Sequence, residues 1–277
     1  MGGSSGVKEP FTKYLDMKPL TIVKIGGNVI DNSENLHYFL EDFSALEGDK
    51  ILVHGGGKVA TDLGVSMGVE AKMVDGRRVT DIHTLRIVTM AYAGLINKNI
   101  VAQLQARACN AIGLTGADGN TIKAVKRPVK TIDYGFVGDL DENSVAVGTI
   151  RSLLEAGLVP VFCAITHDGD TQLLNTNADT VASAIAVAMS EVYETTLMYC
   201  FEKKGVLRDV EDDNSLVPEI RMDEFESLQA QGVVSGGMIP KLHNAFEAIK
   251  SGVGEVYIGH ADELLKPGTS KGTRLIK

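Results

Sequence analysis

Short apolar, β-branched runs alternate along the chain with stretches whose apolar residues recur at helical spacing. The first pattern reads as buried strands and the second as helices packed on one face. Strands are predicted at Leu20–Ile25, Ile51–Val53, Ala111–Leu114, Val159–Ile165, Thr196–Tyr199 and Glu255–Ile258. Helices are predicted at Leu36–Leu46, Lys58–Met67, Thr149–Ala156, Asp179–Met189, Met222–Gln231 and Pro240–Lys250, with a long one from Ile82 to Ala108. Short strands separated by helices need crossover connections, so the strands pair in parallel and the class is α/β, doubly wound. Between Asn120 and Asn143 the pattern changes to β-prone pieces, Thr121–Val125 and Phe136–Leu140, with turns around Asp133 and Gly138-Asp139. These read as β-hairpin additions to the sheet. No linker-like tract and no repeat divides the chain, so one continuous sheet with two lobes is expected.

Composition narrows the function classes. A formal net charge of −9 argues against general nucleic-acid binding, which rewards Lys/Arg-rich faces. No apolar run approaches the roughly 20 residues that span a bilayer, and no secretion signal opens the chain. Three separated cysteines, Cys109, Cys163 and Cys200, form no CxxC pair. They read as small buried hydrophobes in a reducing cytoplasm, not as a disulfide or zinc framework. Residues Met1 to Asp16 look foreign to the fold: Met1-Gly2-Gly3-Ser4-Ser5-Gly6 reads as an added leader, with a second start at Met17. Myristoylation at Gly2 is the competing reading.

Candidate chemistry gathers at three glycine turns. Ile51-Leu52-Val53-His54-Gly55-Gly56-Gly57-Lys58 runs from strand through glycines into helix. Glycines let a ligand approach the main chain, and the helix start offers unpaired N–H groups. Lys24-Ile25-Gly26-Gly27-Asn28 is a second such turn, and in a parallel sheet both fall on the edge where ligands bind. Either could equally be a plain tight turn. Gly55-x-Gly57-x-x-Ala60 also fits a dinucleotide fingerprint with Asp75 as the ribose acid, which makes a nicotinamide enzyme a rival. No GxxxxGK[ST] sequence is present, so a Walker-type loop is excluded.

Charged residues near these turns need a reason. Lys24 interrupts an apolar strand and would be costly to bury without an anionic partner, unless it snorkels from a strand edge. Asn175-Thr176-Asn177-Ala178-Asp179 holds more polar groups than one helix cap needs. Ser235-Gly236-Gly237-Met238-Ile239-Pro240-Lys241 is the third glycine turn, with Pro240 suited to a first helical turn and Lys241 about one turn in. Fixed cations and N–H donors around a transferring phosphoryl group are the device such chemistry needs.

Taken in order, Lys24-Ile25-Gly26-Gly27, His54-Gly55-Gly56-Gly57, Gly76-Arg77-Arg78-Val79-Thr80, Asn175-Thr176-Asn177-Ala178-Asp179 and Gly236-Gly237-Met238-Ile239-Pro240-Lys241 closely resemble the acetylglutamate kinases, of the amino acid kinase family. The resemblance covers Met17 to Lys277, including a closing Gly272-Thr273-Arg274 strand. It implies a three-layer α/β/α sandwich around a mainly parallel sheet. It implies one kinase domain, with an acyl-amino-acid lobe over residues 17–172 and a nucleotide lobe over 173–277. The reaction implied is transfer of the ATP γ-phosphoryl group to the side-chain carboxylate of an N-acylated glutamate, in arginine biosynthesis. By the resemblance, Lys24 and Lys241 stabilise the moving phosphoryl group and Asp179 holds both lysines. Gly56, Gly57, Arg78, Asn175 and Asn177 bind the acceptor. Gly26, Gly27, Glu202, Lys203, Lys204, Gly205, Val206, Leu207, Val233, Val234 and Ser235 meet the phosphates and nucleotide. Magnesium rides on the ATP phosphates and not in a protein cage.

Two departures from the family pattern stand out. Phe201-Glu202-Lys203-Lys204-Gly205-Val206 puts Glu202 where an aspartate is usual and Lys203 where an apolar residue is usual. Either lysine there could touch phosphate or simply lie in a solvated loop. Arg77 replaces an apolar residue beside Arg78, and an added cation could favour an acyl group with its own carboxylate, such as succinyl, over acetyl. The start at Met17 leaves no N-terminal helix of the kind found in arginine-inhibited hexamers, so an arginine-insensitive homodimer is expected. Carbamate kinase, aspartate kinase and a non-catalytic sensor on the same fold remain as alternatives.

Overall fold

The computed structural model describes residues 17–74, 76–209, 211–234, 238–266 and 272–277. Met1–Asp16, Asp75 and Ser235-Gly236-Gly237, all singled out from sequence, lie outside the described residues. The strands of the first half are β1 (Pro19–Ile25), β2 (Asp49–His54), β3 (Met73–Val74), β4 (Arg77–Arg78), β5 (Ala111–Leu114), β6 (Val125–Lys126) and β7 (Gly138–Asp139). Those of the second half are β8 (Val159–Cys163), β9 (Ile165–His167), β10 (Leu173–Asn175), β11 (Glu194–Phe201), β12 (Glu219–Arg221), β13 (Glu255–His260) and β14 (Thr273–Ile276). Among the described residues, eight of them form one sheet in the order β12-β14-β13-β11-β1-β2-β8-β5. All neighbours pair in parallel except β13 with β14.

Ten α-helices are described: α1 (Gly27–Asp31), α2 (Ser33–Ala45), α3 (Gly57–Ser66), α4 (Ile82–Thr89), α5 (Asn97–Gln105), α6 (Val147–Glu155), α7 (Ala178–Met189), α8 (Phe225–Ala230), α9 (Met238–Lys250) and α10 (Ala261–Leu264). The period-two alternation of a strand sends neighbouring side chains to opposite faces. Leu20 and Ile22 of β1 therefore join a core with α6, α7, α8 and α9. Val23 and Ile25 join a second core with α1 to α5 and α10. The result is a three-layer α/β/α sandwich around a mainly parallel sheet: the parallel pairing follows the alternating pattern, and the sandwich follows the family resemblance.

The additions are small. Met73–Val74 pairs antiparallel with Arg77–Arg78, Val125–Lys126 with Gly138–Asp139, and Leu173–Asn175 with Ile165–His167. Several local expectations are corrected. The strand predicted at Val159–Ile165 is two strands broken at Ala164. The hairpin pieces Thr121–Val125 and Phe136–Leu140 shrink to the two-residue strands β6 and β7, because Ile122, Lys123 and Val137 bridge Val145, His167 and Asn175 instead of each other. The Met222–Gln231 helix opens with a 3₁₀ turn at Met222–Glu224. The long helix from Ile82 is interrupted by a π-helical segment, Met90–Ile96, and ends at Gln105. Such segments are uncommon and often accompany functional sites.

Candidate active site

Lys24 lies on an interior strand, flanked by Val53 of β2 and Tyr199 of β11, so the edge-lysine reading fails. Alternation turns its side chain to the same face as Leu20 and Ile22, the face that α7 covers. There Asp179, in the first turn of α7, meets it: Lys24 Nζ is 2.6 Å from Asp179 Oδ1. Lys241, near the start of α9, reaches the other oxygen, with Nζ 3.3 Å from Oδ2. Side-chain exposures of 12% for Lys24, 18% for Asp179 and 30% for Lys241 make this a largely desolvated cluster. Burial alone would raise the Asp179 carboxyl. The two ammonium groups more than offset that and hold it below the ordinary carboxylate range.

Three short segments bring the remaining groups together. The turn after β2 carries Gly55, Gly56 and Gly57 into α3. Gly56 has φ 141°, and a Cβ there would lie 2.1 Å from Ile96 Cδ1, so any other residue strains the backbone and displaces Ile96. The β3–β4 hairpin presents Arg78, whose Nη2 donates to Gly57 O and to Thr61 Oγ1, both at 2.8 Å. Asn175 ends β10, and its Nδ2 donates to Thr80 Oγ1 at 3.0 Å. Asn177 accepts from Thr180 N at 3.1 Å and caps α7. Of the three polar residues singled out here, Asn177 is the cap, while Asn175 and Asp179 are held by other partners.

Apart from Lys24, which reaches it through Asp179, these groups line one cleft of about 530 Å³ over the C-terminal ends of β2 and β8. Its walls include Gly55, Gly56, Gly57, Arg77, Arg78, Asn175, Asn177, Asp179 and Lys241. The strand order reverses direction beside it, between β1 and β11: the chain leaves β1 first for β2 and later for β11 on the other side, a topological switch point. The cleft shares Arg77 and Arg127 with a neighbouring chamber of about 680 Å³ that Lys130 also lines. Arg127 is paired with Asp139 at 2.6 Å.

Other predicted residues fall outside this cleft. Gly26 donates its N–H to Cys200 O at 3.0 Å, and Gly27 opens the five-residue α1. The turn Glu202–Leu207 follows β11, next to β1 on its other side. Within it Lys204 Nζ lies 3.9 Å from Asp213 Oδ2, Val206 and Leu207 are buried, and Val206 N donates to Thr273 Oγ1 at 2.8 Å. Val233 packs at the margin of the core and Val234 is buried within it.

The cleft also holds residues that sequence patterns did not flag. Tyr92 sits in the π-helical segment, its phenol pushed up by burial against the opposing pull of the adjacent Arg78. In sequence it is one more apolar-face residue of a long helix. Arg127 and Asn244 line the walls as well, and nothing in local spacing separates them from surface polar residues.

Residues 19–260 match the model of the amino acid kinase family. The chain is 54% identical over 258 residues to an acetylglutamate kinase of Bacteroides thetaiotaomicron, covering 93% of this chain and 98% of that one. It is 56% identical over 239 residues to an acetylglutamate kinase of Phocaeicola vulgatus, covering 86% and 92%. The crystal structure of smu.665 from Streptococcus mutans UA159 superposes with a TM-score of 0.75 at 26% identity, covering 93% of this chain and 98% of that one. The β2 glycine turn and its surroundings are thus set in a chain whose relatives are kinases along nearly their whole length, and the chain belongs to the amino acid kinase family.

Proposed function

We propose that this chain transfers the γ-phosphoryl group of ATP to the side-chain carboxylate of N-acetyl-L-glutamate, giving an acyl phosphate. The observation that carries the reading is the Lys24–Asp179–Lys241 cluster beside the Gly55–Gly57 turn. High identity to acetylglutamate kinases supports the same reading.

The chemistry fits the groups. A glutamate carboxylate, with an ordinary pKa of about 4.3, is already ionised at neutral pH and needs no general base. The obstacle is repulsion between two anions, which fixed cations and main-chain N–H donors reduce. Lys24 and Lys241 offset charge on the moving phosphoryl group, and Asp179 keeps the two ammonium groups side by side. Gly56 and Gly57 offer N–H donors, while Arg78 and Asn175 take the acceptor's polar groups. Among the described residues lining the cleft, the one carboxylate is Asp179, and both its oxygens face lysines. That donor set suits no protein-held metal, so magnesium arrives on the ATP phosphates. The adenine end binds along the later part of the chain, near Glu202–Leu207 and Val233–Ser235. A nucleotide lobe over residues 173–277, a homodimer and a cytoplasmic location complete the reading. No described helix is long and apolar enough to cross a membrane.

A second reading concerns the acyl group alone. The chamber behind Arg77 and Arg127 adds cationic space next to the cleft, which suits an acyl group bearing its own carboxylate, such as succinyl. An ATP-dependent hydroxamate assay across N-acetylglutamate, N-succinylglutamate, glutamate and aspartate tests both readings. Product with an acylglutamate alone is the expected result. Product with aspartate only, or with none of the four, contradicts the proposal, and a clear preference for acetyl removes the succinyl reading.

A further inference from the structure

Beneath the Gly55–Gly57 turn runs a chain of polar groups, buried at His54 and Asn97 and ending at the exposed Lys98, that the proposed chemistry does not use. His54, the last residue of β2, is fully buried, and alternation points its ring toward α5, away from Asp179. Its Nε2 lies 3.0 Å from Nδ2 of Asn97, the first residue of α5 and itself buried. The same Nδ2 donates to Val161 O at 2.9 Å. Lys98 Nζ donates to Asn97 Oδ1 at 3.2 Å and to Gly113 O at 2.8 Å. The fit is close: a Cβ on Gly113 would lie 1.9 Å from Asn97 Oδ1.

These partners orient the amide. A carbonyl and an ammonium flank Asn97 so that Nδ2 is the donor and Oδ1 the acceptor. His54 Nε2 must therefore accept, which leaves the ring proton on Nδ1. Nδ1 lies 2.9 Å from Gly55 O and donates to it. Burial also holds this imidazole down to about 4, so the ring is neutral at physiological pH.

A trans peptide is planar, and its C=O and N–H point in opposite directions. Holding Gly55 O against the His54 ring turns the Gly56 N–H the other way. Gly55, Gly56 and Gly57 all line the cleft. We propose that His54 is a positioning residue, set in its Nδ1–H tautomer by Asn97, which fixes the Gly55–Gly56 peptide so that the Gly56 N–H faces the reacting groups. The inference rests on the kinase reading above, in which that N–H assists the transfer.

Two substitutions separate this role from simple support of the fold. In His54→Asn the amide nitrogen takes the place of Nδ1 and can still donate to Gly55 O. In His54→Gln the amide reaches the place of Nε2 and gives up that donation. Hydroxamate kinetics and thermal melting are measured on wild type and both variants. The expected result is a kcat within about threefold of wild type for His54→Asn and roughly 100-fold lower for His54→Gln, with KM for ATP little changed and similar melting temperatures. Equal kcat values in the two variants, or losses that follow the melting temperatures, overturn the assignment. If neither variant folds, Asn97→Asp asks the question from the other end, since a carboxylate there draws the ring proton to Nε2. A folded Asn97→Asp protein with wild-type kcat overturns the assignment, and a large fall in kcat supports it. A ¹⁵N long-range NMR spectrum of the wild type reads the tautomer without any activity: a proton on Nε2 overturns the inference. Wild type that yields no hydroxamate with any acylglutamate speaks against the kinase reading itself, which the NMR result leaves separate.

Discussion

The turn after β2 and the turn after β11 lie on either side of β1, at the same edge of the sheet, yet they are built in opposite ways. Gly55–Gly57 is pinned from behind by His54, Asn97, Tyr92 and Ile96 and turns its backbone to the cleft. Glu202–Leu207 is folded back on the chain's last strand, where Thr273 accepts from Val206 N and donates to Val217 O at 2.7 Å. The first turn presents main-chain donors next to paired lysines, as charge transfer demands. The second buries its apolar end and leaves its polar residues at the rim, the arrangement proposed above to meet the adenine end of the nucleotide. Position at a strand end fixes where a loop is; its supports fix what it can do.

The sharpest way to break this contrast is to remove a cation on one side only. Lys241→Ala is expected to lower turnover by about 10²–10³-fold with little change in melting temperature, since Asp179 stays paired with Lys24 when Lys241 is removed. Near-normal turnover in the purified variant removes the cluster from the chemistry. Gly56→Ala comes next: its Cβ meets Ile96 at 2.1 Å, so both turnover and stability fall, the latter by about 1–3 kcal/mol. A melting curve with a parallel assay checks it.

Thr273→Val probes the opposite turn. It leaves Val206 N and Val217 O unpaired in the interior and costs about 1–3 kcal/mol by denaturant unfolding. KM for ATP is expected to rise more than KM for the acylglutamate. Arg78→Ala is expected to give the reverse split, raising KM for the acylglutamate more than KM for ATP, because its guanidinium braces Gly57 O in the cleft wall proposed to hold the acceptor. Matching shifts in the two variants would erase the distinction between the two regions.

The smallest effect concerns pH. The Asp179 carboxyl is depressed in the folded protein, so it adds stability above its unfolded value of 3.8 and loses it as pH falls toward the folded value. Below pH 3.8 the denaturant midpoint of wild type therefore falls more steeply than that of Asp179→Asn. Parallel curves would mean that the lysines do not depress this carboxyl.

Much of this contrast is legible in the chain, for identifiable reasons. β1, β2 and β11 are apolar runs interior to the sheet, and one lysine in such a run stands out because burial makes it costly. Gly55-Gly56-Gly57 stands out as three consecutive glycines between a strand and a helix, and Gly56 among them has a φ of 141° that side chains rarely adopt. The β3–β4 hairpin stands out only through the Gly76-Arg77-Arg78-Val79-Thr80 resemblance, since two-residue strands have no periodicity of their own. The π-helical segment leaves no mark either: apolar spacing runs on through Met90–Ile96, while the change of winding turns Tyr92 to the cleft. His54 lacks a local signal because its partner Asn97 lies 43 residues away and is brought near only by the crossover of α5.

The central claim is that Lys24, Asp179 and Lys241 act on a phosphoryl group moving to a carboxylate. Its most direct test is to follow ADP release and hydroxamate formation together, with ATP and N-acetyl-L-glutamate, in wild type and in Lys241→Ala. The account predicts equal yields of ADP and hydroxamate in the wild type, both dependent on the acylglutamate, and near absence of both in the variant. ADP released without hydroxamate, or hydroxamate formed equally well by the variant, would contradict it.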